Sequence, residues 1–136
     1  MIGRALWLLL LVAAAIAGWH WLYQSRPATS PHSSPRSAMI ELCRGIEADN
    51  PPLMSSICIG EAVDQVDDIR AELDARAERG LAVTTAWVDG NTSAHGDHAQ
   101  GLIWIMDSTG NRLPRWDVYA VRDDQGRWWI ERLTDR

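Results

Sequence analysis

The sequence predicts an α+β domain: a helical pair packed on a curved, four-stranded antiparallel sheet, preceded by an apolar N-terminal helix. Three observations predict it. Between residues 38 and 79 apolar side chains recur at three- and four-residue steps. After Gly80 they fall instead into short runs rich in β-branched and aromatic residues. The first 24 residues carry almost no charge. A chain of 136 residues is the size of one domain, and roughly a hundred remain for it once the first 37 are set aside.

The N-terminal segment opens with one cationic side chain, Arg4, and from Ala5 to Tyr23 has no formal charge beyond a protonatable His20. That length is close to the ~20 apolar residues that span a bilayer as a helix. Trp19, Trp21 and Tyr23 cluster at its far end, where amphipathic rings favour the membrane–water interface. Residues 1–24 are therefore expected to be a signal anchor or single-pass transmembrane helix in a cytoplasmic membrane, with the membrane as one partner. The C-terminal domain is expected on its outer side, periplasmic or extracellular. Ala15-Ile16-Ala17 also fits the cleavage site of an export signal, and both readings export the C-terminal part. Residues 25–37 are rich in Pro and Ser and are expected to be a solvated linker, leaving 38–136 as the exported domain.

Cys43 and Cys58 stand on either side of a Pro-Pro break, with fourteen residues between them. That spacing is neither a C-x-x-C redox motif nor a zinc-ribbon pair. Ser37 is placed to cap a first helix with apolar positions Met39, Leu42, Cys43 and Ile46, which "ADNPP" ends because a residue before proline is pushed out of helical backbone. A hairpin of this helix and the next brings Cys43 opposite Cys58. In an exported domain the two are expected to pair as a disulfide, stabilising the fold by ~3 kcal/mol. Two buried free thiols are the alternative.

The second helix is expected over Ser56–Arg79, with Ile59, Val63, Val66, Ile69, Leu73 and Ala77 as its apolar stripe and Gly80 as its stop. Its other face is an acidic ridge, read as solvated or as a docking surface for a basic partner. Four strands are expected at Leu81–Asp89, Ala99–Asp107, Pro114–Arg122 and Arg127–Thr134. Short turn-like joins, "STGNR" and "DDQG", make the last three an antiparallel meander.

A helical first half followed by a meander ending in "DDQGRWWIERL" resembles the nuclear transport factor 2-like (cystatin-like) superfold. The likeness runs over roughly residues 38 to 134, and Gly126, Trp128 and Ile130 match the Gly then Trp-x-Ile that often opens the final strand in that group. The chain departs from larger members in its single short first helix and four strands. The resemblance implies a fold shared by enzymes, binding proteins and membrane-anchored secretion scaffolds, and so assigns no activity by itself.

Candidate sites follow from composition and strand parity. The net charge of −5 disfavours nucleic acid. His95, Asp97 and His98 lie within four residues, in a Gly-rich segment expected to be a loop. With Asp107 they are the candidates for a pocket mouth or a transition-metal site; a polar connecting loop is the simpler reading, and no metal or cofactor is expected. Side chains alternate across a strand, so Trp128 and Trp129 face opposite sides of the sheet. If Trp128 and Ile130 face the helices, then Trp129 and Leu133 face away, beside Tyr119, as an interaction surface. No nucleophile triad, phosphate loop or paired-carboxylate signature stands out, so the chain is more readily a non-enzyme. The functional expectation is a non-catalytic, membrane-tethered interaction or assembly module, binding a protein partner or a second copy. The alternative is a small-ligand binder or modest enzyme with a pocket between helices and sheet.

Overall fold

The structure, a computed structural model, describes residues 2–24 and 30–136. Four helices precede five strands: α1 (Ile2–Gln24), α2 (Pro35–Glu47), α3 (Pro51–Ser55), α4 (Glu61–Glu78), β1 (Val83–Val88), β2 (Ser93–His95), β3 (His98–Asp107), β4 (Arg112–Arg122) and β5 (Trp128–Asp135).

Local chemistry sets the helix ends. The hydroxyl of Ser34, rather than of Ser37, accepts the Ser37 N–H at 3.0 Å and caps α2, and Pro35 sits in the first turn, where its missing N–H costs nothing. α2 is closed off by Asp49, whose φ of +47° lets its N–H reach Ile46 O and the Asn50 N–H reach Gly45 O; the Pro pair beyond starts α3, capped by Asn50 through the Leu53 N–H. α4 ends as expected at Gly80, whose φ of +75° lets its N–H reach Ala77 while Leu81 reaches back to Arg76. Its stripe is shifted, however. Ala62, Val66, Ile69 and Leu73 are buried, whereas Val63 is 44% exposed.

The sheet is antiparallel, in the order β1-β3-β4-β5, with β2 pairing the first residues of β3 in the same row as β1. Five strands therefore replace the expected four. β2 is three residues of the supposed loop, folded back on β3 through Gly96, which adopts φ +60°. So short a run carries no alternation from which a strand can be read. α2, α3 and α4 form a layer over the sheet face that carries Ile103, Ile105, Val118 and Ile130. The space between the layers is filled. A Cβ on Gly101 would lie 2.5 Å from the Met39 sulfur, and one on Gly45 would lie 2.5 Å from Met54 Cγ.

Three further expectations are overturned. The first is the disulfide: Cys43 and Cys58 are free and buried. α3 is too short to form the second arm of a hairpin, and the two thiols face different edges of the sheet. Cys43 lines a groove with Ala86 and Val88 of β1, whereas Cys58 pairs with Ile130 of β5. β3 and β4 lie between those two strands in the sheet. Burial pushes both thiols up to about 12, so they are protonated and unreactive at neutral pH.

The second and third are the transmembrane helix and the location inferred from it. Among the described residues no helix is long and apolar enough to cross a membrane. α1 has 23 residues, but its unbroken apolar run, Ala5–Ala17, has thirteen. That is about 20 Å of helix against a ~30 Å hydrocarbon core. A single-pass anchor in a cytoplasmic membrane, with the domain on its outer side, is therefore not supported. Residues 3–17 are all exposed. The side chains of Trp19, Trp21 and Tyr23, and residues 25–29 of the expected linker, lie outside the described residues.

Candidate functional site

The face of the sheet away from the helix layer is the candidate site. Strand parity gives it Trp87 from β1, Leu102, Trp104 and Met106 from β3, and Tyr119 and Val121 from β4, all half-exposed. Trp87 and Trp104 are directly opposed in the ladder, with ring centroids 6.3 Å apart and planes within 13°. Trp129 of β5 lies on the same face.

Two of these indoles are held from the rim. Trp104 Nε1 donates to Asp89 Oδ2 at 3.0 Å, just past the end of β1. Trp129 Nε1 donates to Asp123 Oδ2 at 2.9 Å, in the β4–β5 turn. The Trp104 indole, followed by the Asn91 N–H, holds the Asp89 carboxyl below its ordinary range. The Arg127 N–H and then the Trp129 indole do the same for Asp123. Satisfying each N–H at the rim fixes the ring while leaving its apolar surface for contact. Trp129 is further packed by His32, with centroids 4.3 Å apart, and by the Arg127 guanidinium at 5.4 Å. Arg132 lies over Tyr119, 4.2 Å from the ring centre.

Leu133 does not belong to this surface: it is 4% exposed, within the core. The reason is a β-bulge. Tyr119 pairs with Arg132 but Ala120 pairs with Ile130, so Glu131 is an extra residue. It reverses the alternation, turning Leu133 to the helices and Arg132 outward. A second bulge adds Arg115 between Trp116 and Pro114 on β4. Arg115 is aimed at α4, where it meets Glu72 through two contacts of 2.6 Å.

The His/Asp candidates do not form one site. Asp97 pairs with Arg122 at 2.7 Å, His98 lies 3.8 Å from Glu131, and His95 is exposed on β2. Asp107 is at the other end of β3, nine residues or ~30 Å from His98. It accepts the N–H and hydroxyl of Thr109 and the Asn111 N–H, which order the β3–β4 turn; the Thr109 hydroxyl leads in holding it below its ordinary range. Among the described residues no group of three or more His, Cys, Asp or Glu side chains is placed to hold a metal.

A cleft of about 700 Å³ opens between α4 and the end of β5, with Ile69 and Trp116 behind Glu61, Asp68 and Asp135. None of the four candidate polar residues lines it. Its half-buried guanidinium, Arg115, is already held by Glu72 and Asp135. This cleft therefore gives no support to the alternative of a ligand pocket with His95, Asp97, His98 and Asp107 at its mouth.

The face residues not foreseen as a group, Leu102, Trp104 and Met106, were marked by their shared parity along β3. The two anchoring carboxylates carried no signal, because each reaches its indole across a loop.

No protein-family model matches the chain, and no curated protein matches it. Solved structures do. A Campylobacter jejuni protein described as an NTF2-like transpeptidase superposes with a TM-score of 0.55 at 14% identity, over 73% of this chain and 99% of that one. A DUF4783 family protein from Bacteroides ovatus gives 0.52 at 7% identity, over 69% and 89%. At such identities these likenesses show the fold alone, which is nuclear transport factor 2-like.

Proposed function

We propose that the domain is a non-catalytic interaction module whose binding surface is the open face of its sheet, and that its partner is a protein. The observation that carries this reading is the row of half-exposed aromatic and aliphatic side chains from Trp87 to Trp129, with Trp104 and Trp129 anchored from the rim. Rigid indoles, a tyrosine and an arginine are the residue types that dominate protein–protein binding energy. Anchoring lowers the entropy lost when a partner docks. The area suffices. Four strand rows and about eight residues per strand give a flat patch of ~20 by ~27 Å. Side-chain relief raises that towards the ~800 Å² each partner contributes to an ordinary interface.

The test is site-specific photo-crosslinking of the full chain in its native host, with a benzophenone side chain at Leu102 or Tyr119 and, as control, at Asp64 on the exposed face of α4. The expected result is a discrete adduct from both face positions and none from Asp64, its mass separating another protein from a second copy. No adduct from the face, or the same adducts from all three positions, overturns the proposal.

A further inference from the structure

The two edges of the sheet are finished differently. On β5 the chain covers its own edge. His32 O accepts the Trp128 N–H at 2.9 Å, Ile57 O and the Ile59 N–H bracket Ile130 at 2.9 Å each, and the Gln65 amide holds both main-chain groups of Leu133 at 2.8 Å. β1 is not covered in this way. The Asp89 N–H donates inward to Leu102, so by alternation Ala86 and Val88 turn their main-chain groups outward. Among the described residues only Glu47 intervenes, its Oε1 accepting the Ala86 N–H at 2.8 Å.

α2 flanks this edge and runs antiparallel to it. At one end Arg36 donates to Asp89 O at 2.8 Å; towards the other, Glu47 reaches Ala86. Between them Ile40 is 40% exposed, beside a groove of about 270 Å³.

We propose that β1 is a homodimer seam, at which a second copy of this chain adds its own β1 and the two sheets become one. A two-fold axis near Trp87 places Ala86 of each copy opposite Val88 of the other, giving four new main-chain hydrogen bonds. The same rotation reverses α2, so Arg36 of one copy comes beside Glu47 of the second, twice, and Ile40 meets Ile40. This charge complementarity selects a second copy over an unrelated strand. Glu47 leaves the Ala86 N–H to the Val88 carbonyl of the second copy and takes the incoming guanidinium in exchange. Within one chain no such pair can form, because eleven residues put Arg36 and Glu47 about 16 Å apart along α2.

The test is sedimentation of the full chain across a concentration series, with Arg36→Glu, Glu47→Arg and the double swap. Each single swap is expected to weaken the dimer about tenfold, by setting like charges together twice, and the double swap to restore it to within about threefold. Circular dichroism of each variant checks that the fold persists. A chain that stays monomeric at several hundred micromolar, or a dimer indifferent to the single swaps, overturns the proposal. So does a double swap that fails to restore. The swaps leave Leu102 and Tyr119 untouched, so this result and the crosslinking result stand or fall separately.

Discussion

Replacing Gln65 tests how the β5 edge is held. Its amide donates to Leu133 O and accepts from the Leu133 N–H, each at 2.8 Å, so one side chain stands in for a neighbouring strand. Gln65→Ala removes two neutral hydrogen bonds at about 1 kcal/mol each, a loss of ~2 kcal/mol at a half-buried site that water only partly repairs. For a domain of this size that lowers the thermal midpoint by roughly 10 °C. In urea the midpoint falls by about 1.5 M, readable in tryptophan fluorescence. Gln65→Glu gives the test a sign. Ionised, the new carboxyl can still accept from the Leu133 N–H, but it opposes the Leu133 carbonyl and stands in a cleft where Glu61, Asp68, Glu72 and Asp135 outnumber Arg115 and Arg132. Its folded-state pKa is therefore raised. The stability it contributes is fully present below its unfolded value, ~4.3, and is lost as pH rises through the folded value. Gln65→Glu should match the parent near pH 4 and fall well behind it at pH 7. A Gln65→Ala midpoint within 0.3 M of the parent, or a Gln65→Glu deficit that does not change with pH, refutes the strand-mimic account.

Two further outcomes follow from the buried thiols and the anchoring carboxylates. Native protein at pH 8 should leave Cys43 and Cys58 unmodified by a thiol-reactive disulfide reagent, and both should react at once in denaturant; an unreduced mass two units below the reduced chain would restore the disulfide. Asp123, held low by the Arg127 N–H and the Trp129 indole, contributes stability that is present above its unfolded value of ~3.8 and lost as pH falls through the folded value. Asp123→Asn should therefore flatten the acid limb of the stability–pH curve below about pH 4, with little change in the curve's slope above pH 5; an unaltered acid limb would remove the carboxylate from that role.

Much of the fold was legible because it rests on periodicity. The stripe that buries Val66, Ile69 and Leu73 and the alternation that buries Ile103 and Ile105 both appear in the sequence at their expected steps. What could not be read was whatever depends on one displaced residue or on contacts distant in sequence. Simple alternation puts Leu133 on the open face; the Glu131 bulge turns it inward, and nothing in "WWIERL" marks which residue is extra. β2 is too short to show a pattern. A helical hairpin would bring the cysteines together, whereas Ile57–Ile59 leaves the helix layer to pair with β5. Gln65 carries no signal in the sequence, because its role needs Leu133, 68 positions away. The aromatic surface was half legible. Trp129 and Tyr119 followed from parity, but the Asp89 and Asp123 anchors lie in turns whose geometry only the fold defines.

The closed edge at β5 also bears on how the molecule is made. The final strand fits into a slot whose outer wall is built from His32, Ile57, Ile59 and Gln65, and its pairings reach back across as many as 96 positions. During synthesis that wall emerges first and must wait, its polar groups wetted, until β5 leaves the ribosome. Contacts so distant in sequence close slowly. A nascent chain stalled at Gly126 would hold helices and three-quarters of a sheet with two raw edges instead of one. Losing β5 therefore deprives the domain of the piece that locks the helix layer and His32 to the sheet.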